Sequence, residues 1–189
     1  MTNPAGGPAD PATTVRPLVR TRQFREFTGE PLDAAVLDAL ADVARWSGSA
    51  SNRQPWRFLV VTDEAVLRRI GEIGLPQTRS FATAVAALAT VLPAGDDREI
   101  TDAYDDGRVS ERILIAASML GIGAGIAWIR KDVRAALNEL LGIPDDHYVR
   151  TMLALGHPTE GALRPKSAPG TARLPREETV FIGRWPGGR

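Results

Sequence analysis

The polar segment Ser49-Ala50-Ser51-Asn52-Arg53-Gln54-Pro55-Trp56 stands between two patterns of opposite periodicity. Before it, apolar residues recur at helical spacing from Val36 to Ala44, and Asp33 can cap that helix. After it, residues 57–62 read RFLVVT, a run rich in β-branched residues that is typical of a strand. Because Ser, Asn and Pro break regular structure, the segment itself is predicted as a loop. The unit is therefore helix, loop, strand.

The same alternation continues along the chain. A short helix is expected after Asp63, a buried strand over residues 84–92, and a helix over residues 107–120. The helix 107–120 contains ILIAASML, which is apolar nearly all round and indicates burial on most sides, against a partner subunit. The remaining elements are a strand over 126–129, a helix from Asp132 to Gly142, and a strand over 150–155. The simplest solution is an α/β or α+β sandwich, with a central sheet between helices.

The two ends of the chain lack this periodicity. Residues 1–17 contain four prolines and two glycines, and they are interpreted as a disordered leader. Residues 164–189 are rich in Pro, Arg and Gly, and they are interpreted as an extended arm. One domain is thus expected over residues 18–163.

Composition excludes several classes of protein. The 189 residues carry 23 basic and 23 acidic side chains, so the net charge of zero argues against a general nucleic-acid binder. The absence of cysteine removes disulfides, thiol catalysis and Cys-ligated metals, and it favours a cytoplasmic location. No apolar run approaches the roughly 18 residues of a membrane span, so we expect no membrane partner.

A group of arginines precedes the first predicted helix. Arg20, Arg22 and Arg25 lie within six residues. Guanidinium groups donate paired hydrogen bonds to oxyanions, so the group suits a phosphate. The alternative is a solvated basic segment that pairs with Glu26 and Glu30, and the charges alone favour that alternative.

Two further segments have similar alternatives. The Ser, Asn and Gln side chains of residues 49–54 suit the edge of a heteroaromatic ring, or they form an ordinary turn before a core Trp56. Residues 121–125 read GIGAG, but these glycines follow a helix and precede a strand, which is the reverse of a Rossmann fingerprint. They allow close backbone approach to a flat ligand, or they form a helix cap and a turn.

The residues of this sequence offer little support for direct catalysis by side chains. His147 and His157 lack metal-ligand spacing, and no metal site is expected. The acidic residues between Asp96 and Asp106 are interpreted as a solvated loop. Since no nucleophile is evident, a bound cofactor would carry any chemistry.

Taken together, these motifs resemble the flavin-dependent nitroreductase family. The resemblance rests on Arg22-Gln23-Phe24-Arg25-Glu26-Phe27, the segment Ser49–Trp56, the GIGAG stretch and Leu155-Gly156-His157-Pro158, in that order. It implies an α+β, three-layer sandwich with a mostly antiparallel central sheet and an extended C-terminal arm. It also implies a homodimer that holds FMN at the subunit interface, with residues of both chains around each flavin.

The resemblance assigns roles to individual residues. Phosphate contacts fall on Arg22, Arg25 and Arg173, and Gln23 stands where the family commonly has Ser. Ring contacts from the partner chain and backbone contacts near the redox edge complete the expected cofactor-binding set: Ser49, Ser51, Asn52, Gly123, Ala124 and Gly125.

The implied activity is reduction of nitroaromatic, quinone or similar acceptors by NADH or NADPH through a ping-pong mechanism, with FMN carrying the chemistry. Two alternatives stay open. One is a specialised FMN reaction on the same fold, such as dehalogenation, flavin ring cleavage or heterocycle oxidation. The other is a flavin- or nucleotide-binding protein without catalysis.

Overall fold

A computed structural model describes residues 10–168 and 171–186 of the chain. Four strands form one sheet in the order β1-β2-β4-β3, and every pairing among them is antiparallel. The strands are β1 (Arg57–Val61), β2 (Ala86–Pro93), β3 (Gly123–Trp128) and β4 (His147–Gly156). β1 and β3 are therefore the two edges of the sheet.

Helices cover both faces of this sheet. The helices of the described residues are α1 (Pro11–Arg20), α2 (Ala34–Arg45), α3 (Glu64–Ile73), α4 (Glu99–Met119), α5 (Arg134–Leu141), α6 (Glu160–Leu163) and α7 (Arg176–Thr179), of which α2 to α5 pack on the sheet. Short 3-10 turns occupy Ala50–Asn52, Arg79–Ala82, Asp96–Arg98 and Lys131–Val133.

Side chains on the two faces of the sheet form two separate cores. On one face, α2 and α4 pack over Leu88 and Leu153 through Leu40 and Ile113. On the other face, α3 and α5 pack over the neighbouring strand positions, which include Met152. Alternation of side chains along a strand produces this division. The expected α+β three-layer sandwich is confirmed.

The helix boundaries predicted at Asp33, Asp63 and Gly142 are present, but the cap predicted at Asp132 is wrong, because α5 begins at Arg134 after Val133. Asp63 Oδ1 accepts from Val66 N at 3.0 Å, and Asp33 Oδ1 accepts from Ala35 N at 2.9 Å. Gly142 ends α5 with φ of 65°, a left-handed conformation that glycine adopts at little cost. These local signals explain why α2 and α3 begin, and α5 ends, close to where the sequence predicts.

The acidic loop expected over residues 96–106 is wrong. α4 begins at Glu99 and continues for 21 residues, so it includes most of the acidic run. Asp102, Asp105 and Asp106 are buried rather than solvated. Their spacing of three and four places them on one face of the helix, in line with Val109 and Ile113.

Two other elements differ from the prediction. Pro11–Arg20 forms a helix within the expected disordered leader, because Asp10 accepts from Thr13 N at 3.0 Å and proline is well suited to the first turn. Residues 1–9 of that leader lie outside the described residues. β3 begins at Gly123 rather than at residue 126, so two of the three glycines belong to a strand.

The described residues after α6 contain bends and the one-turn helix α7, and their role as an arm stays a prediction. The described residues from 164 onward are exposed, including Phe181 and Trp185, whose rings meet edge to face at 5.1 Å. No helix in the described part of the chain has the length and apolarity needed to cross a bilayer.

Candidate functional site

The arginine segment, residues 22–25, lies along the open edge of the sheet. Phe24 N donates to Ala124 O at 2.8 Å, and Ile126 N donates to Gln23 Oε1 at 3.1 Å. These bonds satisfy outward-facing backbone groups of β3, which is an edge strand of the sheet that the described residues form. The structure thereby brings Gln23 and Arg25 together with the glycine stretch.

Glycine is required here for close packing between two backbone segments. A Cβ atom on Gly125 would lie 2.1 Å from Phe24 O, and one on Gly123 would lie 2.8 Å from the Pro158 ring. Other residues of this chain therefore fill the space next to both glycines, so the glycines have a packing role. The predicted contact of Gly123, Ala124 and Gly125 with a cofactor stays a prediction.

A cavity of about 390 Å³ lies beside this edge. Its lining includes Arg25, Gln77, Arg79 and Trp128. Arg25 Nη1 donates to Ile126 O at 3.1 Å, which orients the guanidinium against β3. Burial and, secondarily, the positive charge of Arg79 lower the pKa of Arg25. Two cations that repel each other across a cavity favour an anion between them.

Trp128 gives the same cavity a flat aromatic surface. The ring is about half exposed, at the end of β3. Arg150 of β4 lies against it, with the guanidinium carbon 5.0 Å from the ring centroid. Cation–π contact of this kind stabilises the orientation of an indole ring. The cavity therefore offers both an anion-binding side and a stacking surface.

Arg22 and Arg173 are placed differently from Arg25. The Arg22 guanidinium donates to the carbonyl groups of Ala162, Leu163 and Arg164, at the C-terminus of α6. It therefore joins the N-terminal segment to the region where the arm begins. Arg173 is exposed in the arm, where it donates to Ala172 O at 2.7 Å. The phosphate roles of Arg22 and Arg173 stay predictions.

The Ser49–Asn52 loop lies at the opposite edge of the sheet. It precedes β1, whereas Arg25 lies against β3, and the sheet order separates these edges by three strand spacings. At about 4.8 Å per spacing this is roughly 14 Å. Among the described residues, the loop is bonded to α4, and no hydrogen bond joins Ser49, Ser51 or Asn52 to a residue that lines the Arg25 cavity.

That loop has a strained and well-connected conformation. Ser51, Asn52 and Gln54 have φ values of 53°, 53° and 50°, the left-handed region that non-glycine residues rarely occupy. Ser49 Oγ accepts from Gln54 N at 2.8 Å, and the Ala50 amide donates to Asp105 Oδ2 at 2.7 Å.

Comparison with known proteins shows to which family the chain belongs. The family model described as the nitroreductase family matches residues 18–92. A protein of Archaeoglobus fulgidus, whose assigned name is NADH dehydrogenase/NAD(P)H nitroreductase, is 30% identical over 145 residues, which cover 74% of this chain and 82% of the relative. This chain belongs to the nitroreductase family.

Other relatives of this nitroreductase-family chain agree. The NADPH-flavin oxidoreductase of Vibrio harveyi is 25% identical over 88% of this chain and 72% of its own. Among solved structures, an FMN-dependent nitroreductase from Clostridium difficile R20291 has a TM-score of 0.73 at 19% identity, with 89% of this chain and 98% of its own covered. That structural likeness confirms the fold. The names of these relatives agree with the expected flavin-dependent oxidoreductase, FMN and NAD(P)H.

Two residues of the candidate site were not predicted from the sequence. Arg79 and Trp128 enter the cavity only because the loop after α3 folds against β3. No local motif marks either residue. The buried Asp102 and Asp105 did carry a signal, because their spacing continues the apolar stripe of α4 towards its N-terminus.

Proposed function

We propose that this protein is an FMN-dependent oxidoreductase that uses NADH or NADPH to reduce nitroaromatic, quinone or similar acceptors by a ping-pong mechanism. The observation that carries the proposal is the Arg25–Arg79 cavity, which combines two cations with the half-exposed ring of Trp128. FMN has the matching chemistry, a phosphate dianion joined to a flat ring system. The residues present therefore fit the cofactor.

In this proposal, Arg25 and Arg79 hold the phosphate or another electron-rich edge of FMN, and Gln77 supplies an uncharged hydrogen-bonding group. Trp128 would exclude water from one side of the bound cofactor. When bound, FMN supplies the hydride-accepting and hydride-donating chemistry. The side chains bind and orient it, and their positive charge favours the electron-rich reduced form.

We further propose that the working molecule is a homodimer. The separation of the Ser49–Asn52 loop from the Arg25 cavity supports it, because a second copy can bring its loop to this edge. Exposed apolar residues on the outer side of α4 also support it, since Ile100, Tyr104 and Met119 are 89%, 73% and 77% exposed. The arm adds Phe181 and Trp185 as further exposed aromatic groups.

The proposed location is the cytoplasm, where NADH and NADPH are supplied. The acceptor is a small molecule, and neither a nucleic acid nor a membrane takes part.

The test of the function is an absorption spectrum of the purified full-length protein, repeated without oxygen after addition of NADH or NADPH. We expect a flavin spectrum that bleaches with one or both reductants and recovers when a quinone or nitroaromatic compound is added. A flavin spectrum that never bleaches would overturn the proposed reaction in favour of a specialised reaction or a binding protein. Failure to bind added FMN would overturn the cofactor assignment.

A further inference from the structure

Two buried carboxylates of α4 hold the Ser49–Gln54 loop. Asp105 Oδ2 accepts from the Ala50 amide at 2.7 Å, and its Oδ1 accepts from Arg108 Nη1 at 3.1 Å. One turn earlier, Asp102 Oδ1 accepts from Arg53 Nη1 at 3.2 Å. The Asp105 and Asp102 side chains are only 3% and 6% exposed. Such charge-assisted bonds to buried groups are strong and well directed.

The loop needs such support from outside. Three of its residues occupy the left-handed region, although none is glycine. Within the loop, the Ser49–Gln54 bond is joined by contacts from Gln54 Nε2 to the oxygens of Asn52, at 3.2 and 3.3 Å. Strained conformations persist when the surrounding structure over-determines them, and they often occur at functional sites.

The two carboxylates are attached to the residues on either side of Ser51 and Asn52. Ala50 comes directly before Ser51 and Asn52, and Arg53 comes directly after them. A helix of 21 residues that packs on the sheet is a rigid base for both attachments. The Ser51–Asn52 backbone is thereby fixed at both ends while its side chains remain exposed.

We propose that Asp102 and Asp105 are positioning residues of the flavin site, which fix the loop that one protomer presents to the FMN of its partner. This inference rests on the proposed function, since the loop has an FMN to meet only in the homodimer. Neither residue contacts the cofactor. Each acts through the loop, so that Ser49, Ser51 and Asn52 are preorganised before the flavin binds.

The decisive variants are Asp105→Ala and Asp105→Asn. Alanine removes the acceptor of the Ala50 amide, whereas asparagine retains an oxygen at that place. We expect Asp105→Ala to weaken FMN binding roughly tenfold and to alter the shape of the bound flavin's absorption bands, while Asp105→Asn stays within about threefold of the wild type. FMN affinity is measured by fluorescence quenching, and the melting temperature is recorded for each variant.

Asp106→Ala is the matched control. Asp106 is buried on the same helix, but its Oδ2 accepts from Thr151 of β4 at 2.6 Å rather than from the loop. This variant is expected to lower the melting temperature without changing the band shape of the flavin. Arg53→Ala supplies a second test at a partly exposed position, and a several-fold loss of FMN affinity is expected.

The outcomes separate the two proposals. Wild-type protein that does not bind FMN overturns the proposed function. If the wild type binds FMN and neither Asp105→Ala nor Arg53→Ala changes its affinity or spectrum, only the positioning role is overturned. Equal losses of affinity for Asp105→Ala and Asp106→Ala, in proportion to their melting temperatures, would also overturn it. If Asp105→Ala does not fold, the FMN affinities of Arg53→Ala and Asp105→Asn decide whether the positioning role is correct.

Discussion

Individual arginines in the same segment perform different tasks. Arg22 joins the N-terminal segment to the C-terminus of α6, whereas Arg25 points along β3 into a cavity that it shares with Arg79. The difference follows from the extended backbone of this segment, where residues an odd number apart face opposite ways. Arg25 is therefore the residue on which the phosphate assignment depends most.

Replacement of Arg25 with alanine should weaken FMN binding by about 1.5–3 kcal/mol, or roughly 10- to 150-fold, because one charge-assisted contact is lost. Titration of the apoprotein with FMN, followed by fluorescence quenching, measures this. Arg69→Ala is the control, since Arg69 is exposed and pairs only with Glu72 among its described salt bridges. Equal affinities in Arg25→Ala and the wild type would remove Arg25 from the cofactor site.

A second residue-scale prediction concerns Gly125→Ala. The added methyl would lie 2.1 Å from Phe24 O, so the arginine segment must move away from β3. We expect a loss of about 1–3 kcal/mol in the free energy of unfolding, together with weaker FMN binding. Urea denaturation and FMN titration measure the two effects.

Gly161→Ala provides the comparison for Gly125→Ala. A Cβ atom at Gly161 would have a single described neighbour, Thr159 Oγ1 at 3.9 Å, and this residue lies in a helix. Stability that is unchanged or slightly increased is expected for this variant. A Gly125→Ala protein as stable as Gly161→Ala would contradict the close contact between the two segments.

Among the elements, α4 has the most varied environment. Its inner face is apolar near the C-terminus and acidic near the N-terminus, where Asp106 contacts Thr151 of β4. Burial, opposed in part by the bond from Thr151, raises the pKa of Asp106. One helix thus contributes to the core, holds the loop through Asp102 and Asp105, and exposes an outer apolar surface.

The raised pKa of Asp106 predicts that the stability of the protein depends on pH. Because its pKa is raised in the folded protein, its stabilising contribution is complete below the ordinary value of 3.8 and is lost as pH rises through the folded pKa. Asp106→Asn lacks this titration, so its stability relative to the wild type should increase across that pH range. Urea denaturation at a series of pH values measures the difference.

Asp132→Asn should give the opposite slope. Its hydrogen bond with Arg130 lowers the pKa of this exposed carboxyl, so the wild type gains stability as pH rises and the variant falls behind. A relative stability of Asp106→Asn that does not change with pH would show that Asp106 titrates normally in the folded protein.

At the scale of the whole molecule, the sheet order determines how the proposed site is assembled. The Arg25 cavity lies against β3 and the Ser49–Asn52 loop precedes β1, the other edge strand, so in the proposed dimer each chain would contribute a different half of each site. Two copies related by a twofold axis can combine these halves twice. The outer surface of α4 and the arm provide apolar groups for that contact.

This arrangement predicts complementation between subunits. Arg25→Ala and Asn52→Gly damage opposite halves, and glycine removes the Asn52 side chain without straining its left-handed backbone. When the two variants are unfolded together and refolded as a mixture, about half of the dimers are mixed, each with one intact site. Tight FMN binding should therefore return to about a quarter of the sites.

Each variant refolded alone is the control for this experiment, and neither should recover tight binding. A mixture that binds no better than the two separate proteins would show that Arg25 and Asn52 serve the same site within one chain, or serve none.

Local sequence signals determined much of this protein. Asp33 and Asp63 mark where helices begin and Gly142 marks where one ends, because a cap acts on the nearest turn. The apolar run before Pro93 forms a strand, because apolar residues on both faces of a segment indicate a buried strand. The order of motifs also gave the family, because each motif is contiguous and keeps its position in the chain. These features depend on neighbours within a few residues.

Only the tertiary structure determined which residues from distant parts of the chain lie next to each other. Arg79 and Trp128 share a cavity with Arg25 although they are distant in the chain, and Gly125 is required because Phe24 crosses it. The acidic run became a buried helix face because Thr151, the Ala50 amide and Arg53 donate hydrogen bonds to its carboxyl groups. A buried carboxylate is stable only beside such partners, and the fold determines where they are.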